Sequence, residues 1–219
     1  MTRTRPARRR RWHASSILAS VLAFALLATL GWLGWLLVGT NVTAHRTADR
    51  SISDLTSRWS SSSTASEATI PQTGRAFALI RIPALGDDWQ WPLLAGTSRS
   101  TLAHGLGWYD TTSSPGQVGN FAVAGQRISH GRPFADLAQL NKGEVVIVET
   151  RDQILTYQLD SSAADLTVDV DAGWVLDPVP GRPAQQPTEA LITLTTEQDL
   201  FWSDDRSVAF GHLVDTQQK

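Results

Sequence analysis

The segment Ala190-Leu-Ile-Thr-Leu-Thr-Thr-Glu197 closes an apolar run with two hydroxyls and a carboxylate, side chains that can take part in chemistry. The hydroxyl of Thr195 or Thr196 is a candidate nucleophile, but each would need a positioned base to take its proton. Glu197 is a poor nucleophile toward an amide, because its carboxylate would form a high-energy anhydride. The 219 residues include no cysteine, so composition alone excludes thiolate chemistry.

Three histidines are candidates for a base or for a metal ligand. His130 lies in a Ser-His-Gly-Arg-Pro turn, where we predict a loop or supporting role. His104 is expected in a solvated loop, and His212 in a half-buried position of the last strand. No ligand pair has a diagnostic spacing such as His-Glu-x-x-His, so we predict no metal and no other cofactor. A metal site built from Glu197 and these histidines is the alternative.

Several motifs occur together in a recognisable order. Asn120-Phe-Ala-Val-Ala-Gly-Gln126 precedes the segment that ends in Glu197, and Arg206 follows nine residues later. The other motifs are Gly86-Asp-Asp-Trp-Gln-Trp-Pro-Leu, Gly107-Trp-Tyr-Asp, Pro115-Gly-Gln-Val-Gly-Asn120, Ser129-His-Gly-Arg-Pro-Phe134 and Leu176-Asp-Pro-Val-Pro180. In this order they resemble the class E sortases, actinobacterial transpeptidases that attach proteins to the cell wall. The resemblance runs from Phe77 to Val214.

The resemblance implies that two of three catalytic positions are altered. Gln126 stands where the family has its catalytic histidine, and Glu197 stands where it has its cysteine. Arg206 matches the family's arginine. Sortases are understood to cleave a sorting signal by thiolate attack on a threonine carbonyl. A glutamine amide does not titrate, so Gln126 cannot shuttle a proton to the leaving amine.

Arg206 could still have a role in the altered site. The resemblance implies that its guanidinium stabilises an oxyanion or holds substrate, and the same fork of donors can bind a carboxylate in a bidentate pair. We therefore predict an ion pair between Glu197 and Arg206, with a pair that still helps to bind a ligand as the alternative. The resemblance implies that Gln126, Glu197 and Arg206 share one groove, and an exposed Trp202 indole could cover this groove or contact a peptide. The predicted binding residues are Arg206, Thr195, Thr196, Trp202 and His130.

Two classes of function follow from these residues. The first is a membrane-anchored pseudo-sortase, inactive as a transpeptidase, that binds a sorting-signal peptide, a pilin-like substrate or an active sortase at the cell surface. The second is an active sortase-like hydrolase or transpeptidase with relocated chemistry, which uses Thr195, Thr196 or a metal. The sequence does not choose among the partners of the first class.

The elements that must position these residues are mostly short strands. Apolar alternation predicts strands at 77–83, 89–94, 144–150, 153–159, 190–196 and 207–214. A short helix is predicted at 134–140. Many short strands at regular spacing predict a closed or sandwich-like β architecture. The resemblance sharpens this to an all-β fold, a sortase-like eight-stranded barrel with short helices over residues 75–219.

The N-terminal segment has the pattern of a membrane anchor. Six arginines fall within residues 1–14, the predicted cytoplasmic tail, and the apolar run at 15–39 predicts one transmembrane helix. The positive-inside rule then predicts a single-pass protein of the cytoplasmic membrane, with the N-terminus inside and the C-terminal domain outside the cell. A cleaved signal peptide is the alternative, although its apolar region is usually only about 7–15 residues long.

Residues 40–74 are rich in serine and threonine and have few residues that could form a core. We predict a flexible extracellular stalk there, in which residues 46–55 could form a short helical extension. The basic N-terminus is explained by membrane topology, and the net charge of the chain is only -2. With no basic and aromatic constellation in the domain, we predict no nucleic-acid partner.

Overall fold

The computed structural model describes residues 13–35, 40–61, 71–197 and 205–219. The chain divides into two compact units, Met1–Gly39 and Thr40–Lys219. The described helix of the first unit is α1 (His13–Gly34), whose large apolar side chains, such as Phe24, are exposed. The transmembrane helix predicted over 15–39 is not confirmed, because no helix in these described ranges is long and apolar enough to cross a membrane.

The second unit consists mainly of strands. Its described α-helices are α2 (Thr40–Ser61) and α3 (Arg99–Leu102). The strands are β1 (Ala76–Arg81), β2 (Gln90–Ala95), β3 (Leu106–Trp108), β4 (Gly119–Gln126), β5 (Val145–Glu149), β6 (Gln153–Leu159), β7 (Thr167–Asp169), β8 (Ala190–Glu197) and β9 (Asp205–Gln218). Short 3-10 turns occur at Pro83–Leu85, Leu137–Gln139 and Gly173–Leu176.

Eight of these strands form a closed barrel. The sheet order is β6-β5-β1-β2-β3-β4-β8-β9, and a further pairing of β6 with β9 closes the ring. β7 pairs with β9 outside the ring. The β2–β3 and β4–β8 pairs are parallel, whereas the other ladders are antiparallel. The predicted eight-stranded barrel is confirmed.

Strand alternation fills the barrel interior as the sequence pattern predicts. Leu155 and Tyr157 of β6 are almost fully buried, and β6 pairs with β5 in the predicted hairpin. The predicted helix at 134–140 is a single 3-10 turn at Leu137–Gln139 instead. Its apolar face is nevertheless the predicted one, because Phe134, Leu137 and Leu140 all lie in the core. A segment this short is below the length at which an α-helix is stable by itself, and 3-10 geometry is common in such pieces.

A helix occupies most of the region predicted to be a flexible stalk. Leu55 of α2 is 1% exposed and packs, with Ile52 and Trp59, on the outer face of β1 and β2. The terminal ammonium of Lys219 lies 4.4 Å from the Trp59 ring centroid. Over 40–61 the described structure is a packed helix where a flexible stalk was predicted. The few apolar residues recur at three- and four-residue spacing, so they line one helical face, and the barrel supplies its partner.

Candidate active-site groove

The candidate site lies at the end of the barrel where β4, β8 and β9 run side by side, and we call this region the groove. In the parallel β4–β8 pair, Gln126 lies opposite Glu197. In the antiparallel β8–β9 pair, the last paired residues are Thr195 and Val208. Glu197 follows Thr195 by two residues and Arg206 precedes Val208 by two, so both lie at the same end of this pair. The backbone therefore brings positions 126, 197 and 206 to a single edge.

The groove lies on the outer face of the sheet. Phe121 and Val123 of β4 point into the barrel core, so Gln126, at odd spacing from both, falls on the opposite face. A separate apolar cluster of Val168, Val175 and Val208 covers this outer face. It forms a wall beside the groove that is distinct from the barrel interior.

Arg206 is held by an aromatic hydroxyl. Its side chain is half-buried at the start of β9, and Nη1 donates a hydrogen bond to Tyr109 Oη at 3.1 Å. Tyr109 follows β3, and its own backbone N–H donates to Ala122 O at 3.0 Å. Sequence reasoning quoted the Gly107-Trp-Tyr-Asp motif but missed that its tyrosine orients Arg206. One donor of the Arg206 guanidinium is therefore engaged by Tyr109.

Gln126 is held by the loop that follows β4. Ser129 Oγ donates to Gln126 Oε1 at 3.4 Å, and His130 Nδ1 lies 2.8 Å from Ser129 Oγ. His130 has a φ of 54° and Gly131 a φ of 84°, a left-handed backbone that favours glycine. A Cβ at Gly131 would lie 2.3 Å from Trp91 Cη2, so a side chain there would displace the loop. His130 thus contacts Ser129, which in turn holds the Gln126 side chain.

The two candidate hydroxyl nucleophiles are buried. Thr195 and Thr196 are each 1% exposed. Thr195 Oγ1 has no hydrogen-bond partner in the described part of the chain, so no described base is in place to take its proton. The Glu197 side chain and Trp202 lie outside the described residues.

A buried polar network fixes the wall of the groove. Asn120 is 1% exposed, and its Nδ2 donates to Val175 O at 2.9 Å. Its Oδ1 accepts a hydrogen bond from Thr193 Oγ1 at 2.8 Å. The network ties the turn Gly173–Leu176 to β4 and β8, and its buried groups are satisfied, as stability requires. Sequence reasoning missed this role, although both side chains lie in motifs that it quoted.

The remaining histidines lie on other elements. His104 is exposed, and its Nδ1 lies 2.7 Å from Ser100 O. His212 is a half-buried residue of β9, as predicted, with Nδ1 3.0 Å from both carboxylate oxygens of Asp160. In the described ranges no group of three or more His, Cys, Asp or Glu side chains could hold a metal ion.

The Glu197–Arg206 ion pair stays a prediction, and a double-mutant cycle tests it. We expect the double variant, Glu197→Gln with Arg206→Gln, to lose less stability than the sum of the losses in the two single variants, because either single change already breaks the pair. The expected coupling energy is about 1–3 kcal/mol, as for charged partners in contact at a half-buried site. Urea unfolding measures it. Because Arg206 also binds Tyr109, Tyr109→Phe is the control background. A coupling energy near zero in both backgrounds would contradict the pair.

Groove and barrel together define a β-barrel protein of the sortase class, and comparisons bear this out. A profile of the Sortase domain family matches residues 80–214. Sortase SrtE1 of Streptomyces coelicolor is 32% identical over 96% of this chain, which spans 62% of the length of that relative. Sortase SrtE2 of the same organism is 27% identical over 94% of this chain and 84% of its own length.

Solved structures agree. Sortase E from Streptomyces avermitilis is similar with a TM-score of 0.60 and 35% identity, over 67% of this chain and 93% of that one. The structure of Sortase E1 from Streptomyces coelicolor with a tripeptide in the active site is similar with a TM-score of 0.57 and 32% identity, over 67% and 93% of the two chains. The chain therefore belongs to the sortase family, and its relatives are class E sortases.

Proposed function

We propose that this protein is a membrane-anchored pseudo-sortase that binds peptide without transferring it. The observation that carries the proposal is the absence of cysteine from all 219 residues, in a family whose chemistry needs a thiolate. Gln126 in place of the histidine adds to it, because an amide provides neither acid nor base. Loss of nucleophile and acid together leaves binding as the activity that the fold can still support.

Binding of a sorting-signal peptide is the form of this proposal that the groove supports best. Arg206 keeps its position through Tyr109, and the network of Asn120 and Thr193 holds the adjacent wall. The tripeptide in the active site of Sortase E1 from Streptomyces coelicolor supports a peptide ligand by similarity. A pilin-like substrate would present the same kind of peptide. An active sortase is the alternative partner, bound through another surface.

We expect the protein to bind a labelled sorting-signal peptide and to leave it uncleaved. Fluorescence anisotropy measures binding, and mass spectrometry of the same mixture measures cleavage or transfer. Arg206→Gln should weaken binding by about tenfold or more, because it removes charge-assisted hydrogen bonds. The matched control is Arg182→Gln, an exposed arginine whose Nη1 donates to Gln185 Oε1 at 3.3 Å. Equal affinity of all three proteins would contradict a peptide site at the groove.

Cleavage in the same assay would instead favour relocated chemistry. One observation favours this alternative. The Thr195 hydroxyl is buried and has no hydrogen-bond partner among the described residues. Cleavage that persists in metal-free buffer and disappears in Thr195→Ala or Thr196→Ala would assign a hydroxyl nucleophile. Cleavage that a chelator abolishes would assign a metal.

The membrane anchor at 15–39 is a further part of the proposal, supported by the arginine-rich tail before it and by its exposed apolar side chains. The natural absence of cysteine makes a labelling test simple. We expect Ser114→Cys in intact cells to react with a membrane-impermeant maleimide, and Thr4→Cys to react only after lysis. Recovery of the protein in the soluble fraction, or the reverse labelling pattern, would contradict the anchor.

A further inference from the structure

A second cleft lies on the barrel wall, between α2 and the start of β1. Its volume is about 560 Å³, and none of the groove residues lines it. We call it the α2 cleft. The residues that give it chemical character are Ser51, Asp54, Ser57, Arg58, Arg75 and His104. It exists because α2 packs on the barrel through Leu55 while these polar residues lie beside that contact.

Two arginines give the α2 cleft an excess of positive charge. Arg58 donates from Nη2 to Ala76 O at 3.0 Å, and Arg75 donates from Nη1 to Gln72 Oε1 at 3.3 Å. These acceptors are uncharged. In the part of the chain that the structure describes, neither guanidinium has a carboxylate within 4.0 Å. Burial and then the charge of Arg75 lower the pKa of Arg58, and Asp54 opposes them with a smaller effect.

The donors of the α2 cleft suit an oxyanion. A guanidinium presents a planar fork of N–H groups that matches phosphate oxygens. Ser51 and Ser57 add hydroxyl donors to the cleft lining. His104 uses Nδ1 toward Ser100 O, which leaves its Nε2 for another partner. An anion in this position would also relieve the repulsion between Arg58 and Arg75, since it would lie between two like charges.

We propose that the α2 cleft binds a phosphate-bearing ligand. The cleft is lined by two arginines and one aspartate, and this net positive charge favours a ligand with more than one negatively charged oxygen. The volume leaves room for an organic group that carries the phosphate, because it falls within the range of small-molecule sites. A soluble phosphate ester and the headgroup of an anionic phospholipid share this chemistry. The proposal is independent of the peptide groove, which lies on other strands.

Calorimetry of the full-length protein with pyrophosphate and with glycerol phosphate tests the proposal. The double variant Arg58→Gln with Arg75→Gln should bind both probes about tenfold more weakly or worse, since it removes the charge-assisted donors. The single variant Arg75→Gln keeps the hydrogen bond of Arg58 to Ala76 O, so it gives a result even where the double variant folds poorly. The control is Arg46→Gln with Arg50→Gln, which removes two exposed charges from the same helix outside the cleft.

Vesicle cosedimentation separates the two sources of phosphate. The unaltered protein and the control are then expected to bind phosphatidylglycerol vesicles more tightly than phosphatidylcholine vesicles. Loss of this preference in the cleft variants alone supports a lipid headgroup. Loss of soluble-probe binding without any vesicle difference supports a free phosphate ester. Two results would overturn the proposal. One is that the unaltered protein binds neither soluble probe and does not prefer phosphatidylglycerol vesicles. The other is that cleft and control variants lose equal affinity, which would indicate nonspecific charge attraction.

Discussion

Restoring two side chains, Gln126→His and Glu197→Cys, is expected to return hydrolysis of a sorting-signal peptide. Strand register explains the expectation, because the two positions lie directly opposite each other in the β4–β8 pair, and Arg206 follows on β9. The scaffold would thus supply positioning, which is worth a large part of catalysis. The double variant should exceed each single variant by about a hundredfold or more, since nucleophile and acid act as a unit. Release of the fluorescent peptide fragment measures it.

Two controls make that result interpretable. Adding Arg206→Gln to the double variant should remove the regained activity, because the oxyanion or substrate would lose its guanidinium donor. A single cooperative melting transition shows that the variants fold, even where the loss of Glu197 or Arg206 lowers its midpoint. If the folded double variant neither binds nor cleaves peptide, the groove is not a peptide site, and a scaffold role through another surface becomes the better account.

Removal of α2 is expected to destabilise the barrel strongly. A protein that begins at Pro71 would expose Ala76, Leu79 and Leu94, which Leu55 and its neighbours cover. Loss of the buried Leu55 and of the half-buried Ile52 and Trp59 is expected to cost about 3 kcal/mol or more. For a domain of this size the melting temperature should fall by about 6–12 °C relative to a protein that begins at Thr40. Scanning calorimetry measures the difference.

A point substitution separates packing from chain length. Leu55→Ala should cost about 2–5 kcal/mol, as buried leucines do. The control, Ser53→Ala, lies on the exposed face of the same helix and should change stability by less than about 0.5 kcal/mol. Equal stability of Leu55→Ala and Ser53→Ala would mean that α2 does not pack on the barrel in solution, and the flexible-stalk interpretation would then be right.

Some features could be predicted because they depend on local pattern. Alternation along β6, with Leu155 and Tyr157 pointing inward, follows from the two-residue period of a strand. Ordered motifs around Gln126 and Arg206 predicted a barrel in which these positions meet, and the register of β4, β8 and β9 places their backbones together. Exclusion of a thiolate needed only the residue count.

Other features depend on partners that are distant in the chain. α2 was predicted as a stalk because its sparse apolar residues stabilise a helix only against the outer face of β1 and β2. The α2 cleft could not be predicted for the same reason, because its residues come from separate elements that meet only in the folded domain. Tyr109 lies 97 residues from Arg206, and Asn120 lies 73 from Thr193, so neither hydrogen bond leaves a sequence signal.

The sequence by itself determined most of the strands and the absence of a cysteine nucleophile, because composition and short-range periodicity are enough for these. The barrel class came from the resemblance of its ordered motifs to the sortases. Only the tertiary structure decided which polar groups hold Arg206 and the groove wall, and that α2 belongs to the folded domain. A hydrogen bond or an apolar contact gains its free energy from geometry between distant segments, and that geometry exists only once the barrel has closed.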